Sequence, residues 1–321
     1  MSFGVTIYGC DLDEATLFRD KAAYLGITPI ITAAPLSAET VGLARGSRSI
    51  SIGHKTPIDD SVLAALRDIG VRYISTRSVG SNHLDVAYAE HLGISVGSTL
   101  YSPDSVADFT VMLILMTIRH TRSALRRAEL HDYRLPGTRG RELRDLTVGV
   151  VGTGRIGAAV IERLRGFGCR ILAYDVRPKT SARYVALDEL LEQSDIVTLH
   201  TPLDATTHHL LDRRRIDRLK PGASVVNTGR GGLLDTDALI EALESGRLGG
   251  VALDVLEGEE GIFYADHRNG PLESAALRRL HQLPNAIVTP HTAFFTDHAL
   301  HDTVVNSLVN CLRFEKGLQH D

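Results

Sequence analysis

The chain has 321 residues, with 35 Lys and Arg against 39 Asp and Glu for a formal net charge of −4, a balance that gives no general pull toward nucleic acid or an anionic membrane. Cys10, Cys169 and Cys311 lie far apart without C-x-x-C spacing, which argues against a disulfide scaffold or a thiolate metal site. The longest apolar run, Phe109 to Ile118, is bounded by Asp108 and Arg119 and is too short to span a bilayer.

The length suits two domains of ordinary size. The opening Met1-Ser2-Phe3-Gly4-Val5-Thr6-Ile7 lacks the basic start of a signal peptide and reads as a first strand, so a soluble, reduced, cytoplasmic protein is expected. Over the first hundred residues, β-rich runs at Val5–Tyr8, Thr28–Thr32, Ser49–Ile52, Tyr73–Thr76 and Ile94–Val96 alternate with helical patterns at Asp13–Leu25, Ala38–Ala44, Asp59–Ile69 and Val86–His91. That alternation predicts a parallel sheet with crossover helices. No G-x-G-x-x-G follows the first strand, so this doubly wound domain is not expected to bind a dinucleotide.

Pro103-Asp104-Ser105 opens a helical pattern that runs to about His131. Its apolar stretch needs cover on nearly every side and is expected between the domains or at a subunit interface. Asp132 to Arg144, with Pro136, Gly137 and Gly140, reads as a linker.

Next comes the most informative stretch, Thr147 to Gly157, an apolar strand ending in Gly152-Thr153-Gly154-Arg155-Ile156-Gly157 and opening a helix from Ala158 to Phe167. Gly152 allows a tight turn, Gly154 lets backbone approach a pyrophosphate, and Gly157 lets helix and strand pack closely. A second strand, Arg170–Tyr174, ends at Asp175, where a carboxylate meets the adenosine ribose. Asp175 favours NADH, while Arg177 allows NADPH as a second cofactor.

Strands follow at Ile196–Leu199, Ser224–Asn227, Gly250–Asp254 and Ala286–Thr289, with a helix at Asp235–Ser245. The arginines of Arg126-Arg127 and Arg213-Arg214-Arg215 have acidic neighbours and read as solvated helix faces. The last helix, Thr296 to Gly317, comes after the dinucleotide sheet is finished and is expected to cross back to the first domain. Residues 1–100 and 297–321 would then form one discontinuous domain and 101–296 the other.

Ligands in such sheets bind outside the carboxyl ends of strands. Three strand ends carry reactive groups: Asn227-Thr228-Gly229-Arg230-Gly231-Gly232, Asp254-Val255-Leu256-Glu257-Gly258-Glu259-Glu260, and Thr289-Pro290-His291-Thr292-Ala293. A guanidinium fork matches a carboxylate, and a histidine can protonate an alkoxide near neutral pH. Taken singly, each also suits a surface loop.

Together with the glycine motif, these segments resemble, in order and spacing, the signatures of the NAD-dependent D-isomer-specific 2-hydroxyacid dehydrogenases. The resemblance implies a Rossmann NAD-binding domain and a flavodoxin-like substrate domain. It implies that Arg230 binds the substrate carboxylate, His291 is the general acid/base and Glu259, five residues past Asp254, pairs with the histidine. Gly152, Gly154, Arg155, Ile156, Gly157, Asp175, Thr201, Pro202, Thr207, Thr228, Gly229, Arg230 and Asp254 would surround the cofactor. Many members place a proline soon after the glutamate; this chain continues Glu260-Gly261-Ile262-Phe263-Tyr264, as the D-lactate branch does.

Arg77-Ser78-Val79-Gly80-Ser81-Asn82 is similar to the family loop whose amides, at Val79 and Gly80, receive the substrate carboxylate. Tyr101, Phe294 and Phe295 match aromatic positions of the small pocket in D-lactate dehydrogenases. Ser51–Lys55, Tyr73–Ser78, Arg163–Cys169 and Asp254–Glu260 look most like the vancomycin-resistance branch, the VanH type, which implies pyruvate as substrate, D-lactate for a D-alanyl-D-lactate cell-wall precursor, and a homodimer. The alternatives are a dehydrogenase of general metabolism acting on a larger 2-oxo acid, and an NADH-sensing protein of the corepressor type. A metal enzyme on His291, His298 and His301 lacks a carboxylate or cysteine at recognisable spacing, so no metal is expected.

Overall fold

Strands buried on both faces by crossover helices read as continuous β-branched runs, and the structure realises that pattern twice. The computed structural model describes residues 3–135, 137 and 139–318; Met1, Ser2, Pro136, Thr138 and Gln319 to Asp321, which the strand, linker and domain readings include, lie outside them. The chain divides into two compact units, Met1–Ser102 with Phe295–Asp321, and Pro103–Phe294.

In the first unit, β1 (Phe3–Ile7), β2 (Ile27–Ile31), β3 (Ser49–Ile52), β4 (Tyr73–Thr76) and β5 (Ser95–Ser98) form a parallel sheet in the order β2-β1-β3-β4-β5, which is the flavodoxin-like order. Every residue of β3 and β4 is buried. The helices are α1 (Leu12–Leu25), α2 (Asp60–Asp68) and α3 (Val86–His91). α2 and α3 begin where Asp59 and Asp85 accept the Val62 and Tyr88 amides, each at 2.9 Å, caps that contribute about 1 kcal/mol each. Ala38 to Ala44 does not form the expected helix; it holds only a 3₁₀ turn, Val41–Ala44. Thr40 Oγ1 accepts the Ser37 amide at 2.9 Å and donates to Pro35 O at 2.7 Å, local bonds that compete with helical ones.

In the second unit, α4 (Asp104–Ile118) and α5 (Thr121–Glu129) precede β6 (Thr147–Val151), α6 (Arg155–Arg165), β7 (Arg170–Tyr174), β8 (Arg183–Tyr184), α7 (Leu187–Gln193), β9 (Ile196–Leu199), α8 (Arg213–Ile216), β10 (Ala223–Asn227), α9 (Thr236–Glu244), β11 (Leu248–Leu253), α10 (Ala275–Gln282) and β12 (Ala286–Val288). The seven strands are parallel in the order β12-β11-β10-β9-β6-β7-β8. This is the Rossmann order with one further strand, and the order reverses between β6 and β9. The fold class expected from the sequence is therefore the one observed.

The single helix expected from Asp104 to His131 is instead two, because His120 adopts φ 49° and ends the first run. The returning chain explains the break: Arg141 donates its amide to Ile118 O at 3.0 Å, and a Cβ at Gly140 would stand 2.8 Å from that carbonyl oxygen. α4 packs on α6, β10 and β11, burying Val106, Ala107, Val111, Leu113 and Ile114 within this unit. Each of the buried valine, leucine and isoleucine side chains contributes about 1.5–3 kcal/mol.

The last helix, α11 (Asp297–Glu315), lies on α1, β3 and β4 of the first unit. Val304, Leu308 and Cys311 join Val5, Ile7, Phe18 and Tyr73 in one buried cluster. Ser307 Oγ lies 2.7 Å from Ser51 Oγ and donates to Ser75 Oγ at 3.0 Å. Among the described residues no helix is long and apolar enough to cross a membrane.

Candidate active site

The glycine turn after β6 has the geometry its residues demand. Gly152 sits at φ +90°, and a Cβ there would stand 2.7 Å from the His200 carbonyl carbon, while a Cβ at Gly157 would collide with Gly152 O. Only glycine meets both conditions. Gly154 precedes α6 with no side chain capping the helix and nothing within 4 Å of its Cβ position. The first-turn amides, which begin at Arg155 and Ile156, thus present an open, partly positive end suited to a pyrophosphate.

Asp175, just past β7, turns back onto this loop. Its Oδ2 accepts the Thr153 amide at 2.5 Å and Thr153 Oγ1 at 3.0 Å, and its Oδ1 accepts the Arg177 amide at 2.8 Å. Burial opposes the charged form, but these donors outweigh it and hold the carboxyl below its usual range. Tyr184 Oη donates to Thr153 Oγ1 at 2.9 Å and braces the same loop. Beyond β9, Thr201 Oγ1 is buried without a hydrogen-bond partner among the described residues, an orphan that a bound ligand would satisfy. Thr207 Oγ1 donates to Pro202 O at 2.8 Å and accepts the Asp204 amide at 2.8 Å, so it shapes that loop. The residues present therefore fit a dinucleotide.

Three adjacent strand ends build the polar centre. After β10, Asn227 clamps its loop from both sides: Oδ1 accepts the Gly229 amide at 3.0 Å and Nδ2 donates to Arg230 O at 2.8 Å. Thr228 Oγ1 lies 2.8 Å from Thr110 Oγ1 of α4, and Arg230 donates one guanidinium N–H to Gly229 O at 2.7 Å. A Cβ on Gly231 would collide with the Leu256–Glu257 backbone, so the arginine loop is seated directly on the acidic loop.

After β11, Asp254 is fully buried. Its Oδ1 accepts from Thr289 Oγ1 at 2.6 Å and the Thr292 amide at 2.9 Å, its Oδ2 accepts the Ala293 amide at 2.8 Å, and its carbonyl accepts the His291 amide at 2.8 Å. Rather than pointing outward, this carboxylate holds the loop after β12. That loop carries His291 at φ 53°. His291 Nδ1 lies 2.5 Å from Glu259 Oε1, and Glu259 Oε2 accepts the Leu256 amide at 2.6 Å. Tyr264 Oη donates to His291 O at 2.9 Å, and Phe294 meets the imidazole edge-on with centroids 6.2 Å apart.

The first unit holds the remaining expected residues. The Val79 and Gly80 amides follow β4 and, among the described residues, donate to no protein acceptor. Ser78 Oγ donates to Gly80 O at 2.6 Å and shapes the turn. Arg77, 4% exposed, anchors it through Glu14 at 3.0 Å and the Tyr8 carbonyl at 2.8 Å. Tyr101 is half-buried between Leu100, whose carbonyl accepts from Asn306 at 2.7 Å, and Ser102, whose amide donates to Asp302 at 2.9 Å. Phe295 is exposed. Sequence reasoning gave no role to Asn227, Tyr264 or Tyr184. Asn227 had a signal, a short amide at a strand end before a glycine loop; the tyrosines had none.

A glycine cradle at a helix terminus, with a histidine–glutamate pair and an arginine on neighbouring strand ends, defines a dinucleotide-dependent oxidoreductase. The profile of the D-isomer specific 2-hydroxyacid dehydrogenase NAD binding domain matches residues 111–293. The D-specific alpha-keto acid dehydrogenase of Enterococcus faecalis is 52% identical over 100% of this chain and 99% of its own. The aromatic 2-oxoacid reductase of Clostridium sporogenes is 38% identical over 94% of this chain and 93% of its own. The solved pyruvate reductase of Chlamydomonas reinhardtii superposes with a TM-score of 0.89 at 34% identity, covering 99% of this chain and 98% of that one. The chain belongs to the NAD-dependent D-isomer specific 2-hydroxyacid dehydrogenases.

Proposed function

We propose that the protein reduces pyruvate, with related small 2-oxo acids, to D-lactate, and that Arg230, Glu259 and His291 carry the reaction. The observation that supports this most is the 2.5 Å contact between Glu259 Oε1 and His291 Nδ1, on a loop that the buried Asp254 holds in place. Reduced nicotinamide, when bound by the Gly152–Gly157 cradle and Asp175, supplies the hydride. Glu259 fixes the Nδ1 side of the ring, which assigns delivery of the proton to Nε2. The guanidinium of Arg230 offers its remaining N–H donors to the substrate carboxylate and to the oxygen on which charge develops. The Val79 and Gly80 amides are assigned to the carboxylate, Tyr101, Phe294 and Phe295 to the substrate side chain, and the first unit to the substrate.

The same reading includes a cytoplasmic homodimer through α4 and α5, which expose Met112 and Leu125. It includes D-lactate supply for D-alanyl-D-lactate precursors in vancomycin resistance, which rests on the resemblance of Ser51–Lys55, Tyr73–Ser78, Arg163–Cys169 and Asp254–Glu260. A larger aromatic 2-oxo acid is the second reading, favoured by the name of the Clostridium relative. Purified enzyme with NADH should turn over pyruvate at a kcat/KM above that for phenylpyruvate, release D-lactate, and sediment at twice the chain mass. Higher efficiency on phenylpyruvate selects the second reading; NADH binding without turnover of either selects the sensor; a monomeric mass removes the dimer.

A further inference from the structure

Outside the residues assigned to catalysis, the second unit holds one unusual cluster. Consecutive side chains on a chain ordinarily diverge, yet His208 and His209 stack with centroids 4.0 Å apart and planes 22° from parallel. The turn that achieves this puts His209 at φ 48°, in the left-handed region that histidine rarely adopts. Both Nε2 atoms then face one carboxylate: His208 Nε2 lies 3.2 Å from Glu257 Oε1, and His209 Nε2 lies 3.1 and 3.0 Å from the two Glu257 oxygens. The candidate ligand atoms all fall within 4.8 Å of one another. Two imidazole nitrogens about 2.0–2.1 Å from a zinc-class ion, with one carboxylate oxygen, need this spacing, and water completes a tetrahedron.

We propose that His208, His209 and Glu257 form a surface site for one divalent transition-metal ion of the zinc, cobalt or nickel class. Imidazole with carboxylate selects such ions over magnesium or calcium, which prefer all-oxygen cages. The side chains are 54%, 35% and 37% exposed, so the ion enters from solvent without any opening of the fold.

The site is also tied to the catalytic loops. The His209 amide donates to Gly232 O at 2.8 Å, and Gly231 rests on the Leu256–Glu257 backbone. A bound ion therefore bridges the segment after β9 to the acidic loop on either side of the Arg230 turn, and restrains that turn without touching substrate.

The test uses the untagged full chain, stripped with chelator and titrated with Co²⁺ at neutral pH. A visible d–d spectrum of tetrahedral intensity should saturate at one cobalt per chain, and Zn²⁺ should displace it. His208→Ala and Glu257→Gln should each weaken cobalt binding by about tenfold or more, while His301→Ala, on α11, should leave it unchanged. Absence of a saturable spectrum overturns the site, as does a spectrum that persists in both ligand variants while their circular dichroism matches wild type. A spectrum lost in His301→Ala would move the ion elsewhere and overturn it equally.

Discussion

At the scale of single residues, the site depends on how few alternatives each side chain has. His291 has one ring nitrogen on Glu259 and its backbone on Asp254 and Tyr264, so the ring is positioned before any substrate arrives. Replacing it with alanine removes the group proposed to deliver the proton and leaves the dinucleotide cradle intact. His291→Ala should therefore lower kcat by about 10²–10⁴-fold with NADH affinity, read by fluorescence quenching, unchanged. Unchanged kcat would take His291 out of the mechanism. Arg230 and His291 stand within three residues of a β-rich run, where ligands of parallel sheets bind, whereas Glu259, five residues past Asp254, was singled out only by the family resemblance. The stacking of His208 on His209 was not visible, since adjacent residues are brought together only by a positive φ that no composition rule anticipates for histidine.

Among elements, strands were easier to read than helix ends. Ser49–Ile52, Tyr73–Thr76 and Ile196–Leu199 are short β-branched runs between polar turns and lie where expected. The break at His120 was hidden because its cause, the Gly140–Arg141 segment closing on Ile118, is a tertiary contact. α7 and α10 were not read as helices, although α3, shorter than either, was. The loops after β11 and β12 act as one element through Asp254, whose three carboxylate bonds all reach the segment from Thr289 to Ala293. An asparagine there would keep one acceptor and turn an N–H toward a buried donor. Asp254→Asn should cost about 1–3 kcal/mol, seen as a lower denaturation midpoint, and should reduce kcat because His291 shares the loop. A variant with wild-type midpoint would show that the loop holds itself.

For the molecule as a whole, acid stability should carry the mark of His200. Its Nε2 lies 2.9 Å from Thr198 Oγ1 and its Nδ1 is buried without a partner among the described residues. Burial pushes its pKa down from 6.5 to about 3. Below pH 6.5 the unfolded chain takes up a proton that the folded one refuses, so the contribution is complete above that pH. It is lost as pH falls toward 3, at a slope of up to about 1.4 kcal/mol per pH unit. His200→Gln removes the titrating group, so its melting temperature should fall less steeply between pH 6.5 and 4.5 than that of wild type. Parallel curves would show that the ring is protonated in the folded protein.

The helix that completes the first unit is synthesised only after the whole of the second. As the chain leaves the ribosome, Val5, Ile7, Phe18 and Tyr73 emerge early, while the Val304, Leu308 and Cys311 that share their cluster follow only after all of Pro103–Phe294. The second unit can close as soon as its own strands are out, whereas the first must wait with part of its apolar surface uncovered. The order of birth is therefore not the order of completion. Until α11 arrives, the partly uncovered Met1–Ser102 segment is the part of the chain most exposed to misassembly during synthesis.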